Sequence, residues 1–94
     1  MGTVIDSQGL IYICGGNTNG HITNSCLTID IMSSSQWVQI PSMHCRRDEF
    51  SLTMGPDHKI YAIGGFGGPD RAPLKECERY DPQTGKWEAI APLN

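Results

Sequence analysis

The chain has 94 residues, with 7 Lys and Arg against 10 Asp and Glu, and a formal net charge of −3. The mild negative charge and scattered basic residues disfavour nucleic acid as a partner, and no apolar run reaches the roughly 18 residues of a membrane span. Because the N-terminal sequence also lacks the basic start and apolar stretch of a secretion signal, we expect a cytoplasmic protein with no membrane partner.

Short β-prone runs alternate along the chain with segments rich in glycine, asparagine, serine and proline. No segment keeps a helical period, so the sequence predicts an all-β fold. In chain order, the predicted strands lie at residues 3–5, 10–14, 26–31, 37–40, 50–54, 60–63, 76–80 and 87–90.

The second half of the chain repeats the pattern of the first half at a spacing of about 50 residues. The doublet Gly15-Gly16 recurs as Gly64-Gly65, each time after an Ile-Tyr strand, and Trp37 recurs as Trp87. Several anchors in the same order make chance similarity improbable. We therefore divide the chain into one repeat at residues 1–43 and a second at 44–94.

Cysteine and histidine spacing predicts neither a metal site nor a cofactor. No two cysteines form a Cys-x-x-Cys pair, and we interpret all four as buried, reduced thiols. The histidines each stand alone in polar surroundings, which is typical of solvated loops. The residues concerned are Cys14, Cys26, Cys45, Cys77, His21, His44 and His58.

The second repeat resembles the kelch repeat. It has a glycine doublet after an Ile-Tyr-x-Ile strand, then Tyr80-Asp81-Pro-x-Thr-Gly-x-Trp87, then Ile-Ala-Pro-Leu. The first repeat departs from the kelch pattern in its Tyr-Asp-Pro and Thr-Gly turns, at residues 28–36. The resemblance implies two four-stranded antiparallel blades of a β-propeller, which close only with further blades or by self-assembly. Its structural signature comprises Gly15, Gly16, Trp37, Gly64, Gly65, Tyr80, Asp81 and Trp87.

Physical roles follow for the glycines and aromatic residues of this signature. At the end of a strand, a glycine doublet fits a backbone that turns through positive φ, or a place where a side chain would collide with its surroundings. The large aromatic residues supply the apolar surface that packs one sheet on the next. We assign this packing role to Tyr12, Trp37, Tyr61, Tyr80 and Trp87.

With the strands of each blade named a to d, the b–c loops and the d–a link emerge on one face. The b–c loops, at residues 17–24 and 66–75, are longer than the other turns, and long loops on a rigid sheet are where recognition usually occurs. We expect Phe66 to be exposed there, while Arg47 either faces a partner or is held by backbone carbonyls. The predicted partner-binding residues are Asn17, Asn19, His21, Arg46, Arg47, Asp48, Phe66, Asp70 and Arg71.

The kelch resemblance implies a scaffold that binds a protein, either by recognising substrates for a cullin-type ubiquitin ligase or by binding actin. One alternative is a building block that completes a propeller as a homo-oligomer, or a fragment without binding activity of its own. A second alternative is part of a kelch-type enzyme such as a sugar oxidase. We expect no enzymatic activity, because no constellation of catalytic residues stands out in the sequence.

Overall fold

The computed structural model describes residues 1–32, 36–67 and 70–93. These residues form β-strands and turns, and no helix among them could span a membrane. The strands are β1 (Gly2–Ile5), β2 (Leu10–Cys14), β3 (Asn17–Thr18), β4 (His21–Ile22), β5 (Cys26–Asp30), β6 (Val38–Ile40), β7 (Ser51–Met54), β8 (Ile60–Ile63), β9 (Phe66–Gly67), β10 (Ala72–Pro73), β11 (Cys77–Asp81) and β12 (Lys86–Ile90).

Two four-stranded antiparallel sheets carry the fold, one from each repeat. The first sheet has the order β1-β2-β5-β6, and the second has the equivalent order β7-β8-β11-β12. Each predicted strand is present, with ends that differ by about one residue. For example, Trp37 precedes β6 instead of beginning it. The hairpins β3–β4 and β9–β10, which lie inside the two b–c loops, were not predicted.

Two of the predicted connections are only partly described. The c–d turn predicted at residues 33–36 falls outside the described residues except for Gln36. Residues 68 and 69 of the second b–c loop also lie outside them.

The core lies between the two sheets and is built by strand alternation, because every second residue of a strand points to the same side. Tyr12, Cys14 and Cys26 of the first sheet pack with residues of the second. The Tyr12 and Tyr80 rings are 6.3 Å apart, and those of Tyr80 and Trp87 are 5.2 Å apart. The indole N–H of Trp87 also donates a 2.8 Å hydrogen bond to a backbone carbonyl, that of Pro41.

Two of the aromatic residues assigned to the core lie outside it. The register places Tyr61 on the outer face of its sheet, away from the other sheet. Trp37 lies just before β6, and strand alternation from Val38 assigns it to the outer face of the first sheet. Trp37 is 44% exposed and Tyr61 is half-buried. The expectation that both pack between the sheets was therefore wrong, because no further sheet of the described residues packs on either outer face.

Both physical reasons for the glycine doublets apply in the structure. Gly15, Gly16, Gly64 and Gly65 all have positive φ, between 63° and 104°. A Cβ at Gly15 would lie 2.7 Å from the carbonyl oxygen of Arg47, and one at Gly65 would lie 2.6 Å from that of Asp48. The doublets therefore leave room for the segment that connects the two sheets.

Three of the four cysteines are buried as free thiols, as the sequence predicted. They are Cys14, Cys26 and Cys77. Cys45 is also free but only half-buried, which corrects the expectation for this residue. It lies in the segment that connects the sheets, outside the core between them.

Candidate functional site at the loop face

The segment between β6 and β7, residues 41–50, connects the two sheets and is called the link below. The amide of Gly16 donates to the carbonyl of Arg47 at 2.7 Å, and the amide of Arg47 donates to that of Thr23 at 3.2 Å. Asp48 and Phe66 exchange two backbone hydrogen bonds, of 2.8 and 2.9 Å. The link is therefore bound to the b–c loops of both sheets. These three segments together form one end of the molecule, the loop face.

Arg47 anchors the link from inside. Its side chain is excluded from solvent, and its guanidinium donates to the carbonyls of Gly64 at 2.9 Å and Glu76 at 2.8 Å. It also contacts the carboxylate of Glu78 at 3.1 Å. Two roles were considered for Arg47, and the structure favours the one in which backbone carbonyls hold its side chain. The expectation that it binds a partner is corrected, because a wholly buried guanidinium cannot reach one.

Glu78 is the other half of this anchor, and sequence analysis missed it. One carboxylate oxygen accepts the amide of His44 at 2.7 Å, and the other accepts the amide of Cys45 at 3.1 Å. Strand alternation could have located Glu78, because it lies two residues before Tyr80 and so shares the buried face of β11. A buried carboxylate in this position requires a cation, and Arg47 supplies it.

The environment of the link also affects the Cys45 thiol. Burial raises the pKa of Cys45, while the positive charge of Arg47 acts in the opposite direction. A thiol with a raised pKa is a poor nucleophile at neutral pH.

Asp48, Phe66 and Arg71 come together at the centre of the loop face. The guanidinium carbon of Arg71 lies 5.7 Å from the centre of the Phe66 ring, a cation–π arrangement. A guanidinium nitrogen of Arg71 is 3.3 Å from Asp48 and 3.7 Å from Glu49. Phe66 is half-buried, which corrects the expectation that its side chain is exposed, and the predicted partner-binding residue Asp48 is buried. Arg71 covers both and is itself exposed.

The remaining predicted residues are exposed at the edges of the loop face. Asn17, Asn19 and His21 belong to the β3–β4 hairpin, whose turn is closed by a hydrogen bond from the Gly20 amide to the Asn17 side chain. Asp70 lies in the β9–β10 turn. Arg46 is in the link. Its carbonyl oxygen lies so close to Gly67 that a Cβ at that position would be 2.1 Å from it. The link is thus hydrogen-bonded to the b–c loops that contain the two hairpins.

Comparisons with known proteins agree with the repeat found in the sequence. Residues 55–94, which include the second glycine doublet and Trp87, match the family model described as the Kelch motif. Kelch-like protein 35 of Mus musculus is 35% identical over 83 residues, which cover 88% of this chain. The chain is a kelch-repeat protein.

Other kelch relatives match at a similar level. Kelch-like protein 41a of Danio rerio is 33% identical over 95% of this chain, and an F-box/kelch-repeat protein of Arabidopsis thaliana is 35% identical over 94%. The chain spans 13% of Kelch-like protein 35, 14% of Kelch-like protein 41a and 25% of the F-box/kelch-repeat protein. It thus corresponds to a small part of each of these relatives.

A solved structure extends the similarity to three dimensions. A fungal alcohol oxidase, determined in complex with copper, superposes with a TM-score of 0.71 and 26% sequence identity. The match covers 93% of this chain and 17% of the oxidase. The two four-stranded sheets are therefore kelch blades of the β-propeller type.

Proposed function

We propose that this chain is a non-catalytic, protein-binding part of a kelch propeller, and that the loop face is its binding surface. The observation that carries this proposal is the attachment of the link to both b–c loops, through Gly16, Thr23 and Phe66. Loops fixed in this way lose little conformational entropy when a partner binds. The general interaction role of kelch relatives supports the same conclusion.

Within this surface, we propose that Arg71 and Phe66 form the central contact. Arginine and aromatic residues are enriched among the residues that dominate binding energy at protein interfaces. Arg71 is already oriented by Asp48 and by the Phe66 ring, so a partner meets a preorganised side chain. Asn19, His21 and Asp70, at the hairpin tips, would add polar contacts at the rim.

For the partner, we propose a substrate of a cullin-type ubiquitin ligase. Two kinds of relative support this choice by name, the F-box/kelch-repeat proteins and Kelch repeat and BTB domain-containing protein 13 of Homo sapiens. In such a protein, this chain would contribute to substrate recognition and another segment would contact the ligase. Actin is the alternative partner.

Site-specific photo-crosslinking tests the binding surface. A benzophenone amino acid would replace Asn19 or Asp70 at the loop face, or Thr84 at the opposite end of the molecule, in the full-length protein in cells. We expect a discrete adduct from the first two positions and none from position 84, and we expect Arg71→Glu to reduce the adduct. Equal adducts from all three positions, or none from the loop face, would contradict the proposal.

The choice of partner needs a separate assay. Co-sedimentation with purified filamentous actin would identify actin as the partner if this chain pellets with the filaments. If the chain stays in the supernatant and adducts still form in cells, the ligase-substrate proposal stands.

A second candidate role is assembly into a larger propeller, and exposed apolar side chains favour it. The outer face of the first sheet exposes Ile5 by 55%, Leu27 by 39% and Trp37 by 44%. A further blade, from a longer chain or from a second copy, would cover these side chains. Light scattering after size exclusion tests the second-copy form. A mass near three times the 10.3 kDa of the chain supports self-assembly, and a monomer rules it out at that concentration.

A further inference from the structure

We propose that a groove between the two sheets, at the end of the molecule opposite the loop face, binds a cationic segment of a partner protein. The segment would carry Arg or Lys next to an apolar side chain. This site is separate from the loop face, so it does not depend on the function proposed above.

The groove has a volume of about 530 Å³ and is formed by three turns. One is the β1–β2 turn of the first blade, and the others are the β7–β8 and β11–β12 turns of the second blade. Leu10 and Met54 line it from opposite sheets, and both are half-buried against the core. The volume is within the usual range for ligand pockets and is enough for a few side chains.

Charged residues at the groove have an excess of negative charge. Among the described residues, Asp6, Asp57 and Asp81 line it together with Lys59, so three carboxylates face one ammonium group. His58 lines it as well. An apolar interior bordered by net negative charge is complementary to a positively charged side chain with an apolar neighbour.

The carboxylates differ in how far they are already neutralised. Asp57 accepts a hydrogen bond from Tyr61 and lies 3.9 Å from Arg79, and Asp81 lies 4.0 Å from Lys59. Asp6 accepts hydrogen bonds from the backbone amides of residues 8 and 10, both at 2.9 Å. Within the described part of the chain, no cation lies within ion-pair distance of Asp6. Asp6 is therefore the carboxylate best placed to attract an incoming cation.

The negative charge of Asp6 already acts on a neighbouring group. The pKa of Tyr12 is raised to about 12, first by burial and then by the charge of Asp6. The negative charge of Asp6 thus reaches the Tyr12 hydroxyl. The same charge would favour a guanidinium or ammonium group in the groove.

Each aspartate also supports its own turn, and this allows a clean test. An asparagine oxygen can accept the same backbone hydrogen bonds, so aspartate-to-asparagine changes remove the charge and keep the turn. The test combines this chain with a fluorescent octapeptide of alternating leucine and arginine. A matched peptide with citrulline in place of arginine keeps the shape and loses the charge.

We expect the arginine peptide to bind and to shift the amide resonances of the three turns in an NMR titration. The double variant Asp6→Asn/Asp81→Asn should weaken binding by about 3-fold to 10-fold, as expected for two partly exposed charge pairs. Lys59→Gln removes the ammonium group that lines the groove and should tighten binding. Glu76→Gln, an exposed change outside the groove, should leave the affinity as it is.

Several results would overturn the proposal. They are equal binding of the citrulline peptide, unchanged affinity in the double asparagine variant, resonance shifts confined to the loop face, and no binding at millimolar peptide. If the double variant does not keep a dispersed NMR spectrum, the affinity of the Lys59→Gln variant is the deciding measurement. Weaker or unchanged binding of the arginine peptide by that variant would contradict the role of charge. Photo-crosslinking at the loop face is independent of all these results.

Discussion

The guanidinium of Arg47 lies 3.1 Å from the carboxylate of Glu78, and both side chains are excluded from solvent. This pair joins the link to β11 of the second blade. Without Glu78, the amides of His44 and Cys45 would lose their acceptor, and the Arg47 charge would remain buried without compensation. The order of the link, and with it the geometry of the loop face, depends on this contact.

Glu78→Ala should destabilise the chain by about 3–5 kcal/mol, the usual cost of leaving a buried charge without its partner. Urea denaturation followed by circular dichroism measures the change. Arg46→Ala is the matched control, because Arg46 is the exposed neighbour of Arg47 and its loss should cost less than about 0.5 kcal/mol. Similar losses in the two variants would show that the pair contributes little.

Trp87→Ala should cost about 3–5 kcal/mol, whereas Trp37→Ala should cost less than about 1 kcal/mol. The two residues occupy the same position of the repeat, but Trp87 is packed against Tyr80 and Trp37 is on an open face. Denaturation of the monomer at low concentration is the appropriate measurement. If Trp37→Ala costs as much as Trp87→Ala, Trp37 is packed in the monomer and the open outer face described for the first sheet is wrong.

Tyr61→Phe should raise the pKa of Asp57 toward its ordinary value. In the folded chain, that pKa is lowered chiefly because the Tyr61 hydroxyl donates a hydrogen bond to the carboxylate. A lowered pKa stabilises the fold above the unfolded-state pKa, and this stabilisation is lost as the pH falls through the folded-state pKa. The variant should therefore lose less stability on acidification below about pH 4. Carboxyl NMR titration of Asp57 checks the shift, and an unchanged pKa would contradict the role of Tyr61.

Iodoacetamide should modify Cys45 of the folded chain before the other cysteines. Cys14, Cys26 and Cys77 are buried, while Cys45 is half-buried. Because burial raises the pKa of Cys45, its reaction at pH 8 should still be slower than in the urea-unfolded chain. Mass spectrometry after timed labelling measures both rates. In the Cys45→Ser variant, the first modification should disappear. Early labelling of Cys14, Cys26 or Cys77 would contradict the burial described for that cysteine.

Local features of the sequence were enough to predict the strands, their pairing into two repeats and the positive-φ glycine doublets. A strand is encoded by β-prone residues between turn residues, and a doublet such as Gly64-Gly65 is encoded by the backbone conformation that it permits. The gathering of both b–c loops and the link at one end also followed, because antiparallel hairpins leave no other arrangement.

Burial was predicted less well, and Trp37 and Trp87 illustrate why. The two tryptophans have the same local pattern, yet Trp87 is buried and Trp37 is 44% exposed. What separates them is whether a neighbouring sheet covers the residue, and the sequence around each one carries no such information. The same holds for Phe66, whose exposure depends on the position of Arg71 across the loop face.

The sequence by itself therefore determined the all-β repeat, the strands of its sheets and the face on which the long loops meet. Only the tertiary structure decided that Arg47 is an internal anchor, that Glu78 compensates it, and that the opposite turns enclose an acidic groove. The physical reason is the separation along the chain of the residues that interact. Strand and turn formation depend on neighbours along the chain, whereas burial and charge pairing depend on residues about 30 positions apart that meet only when the chain folds.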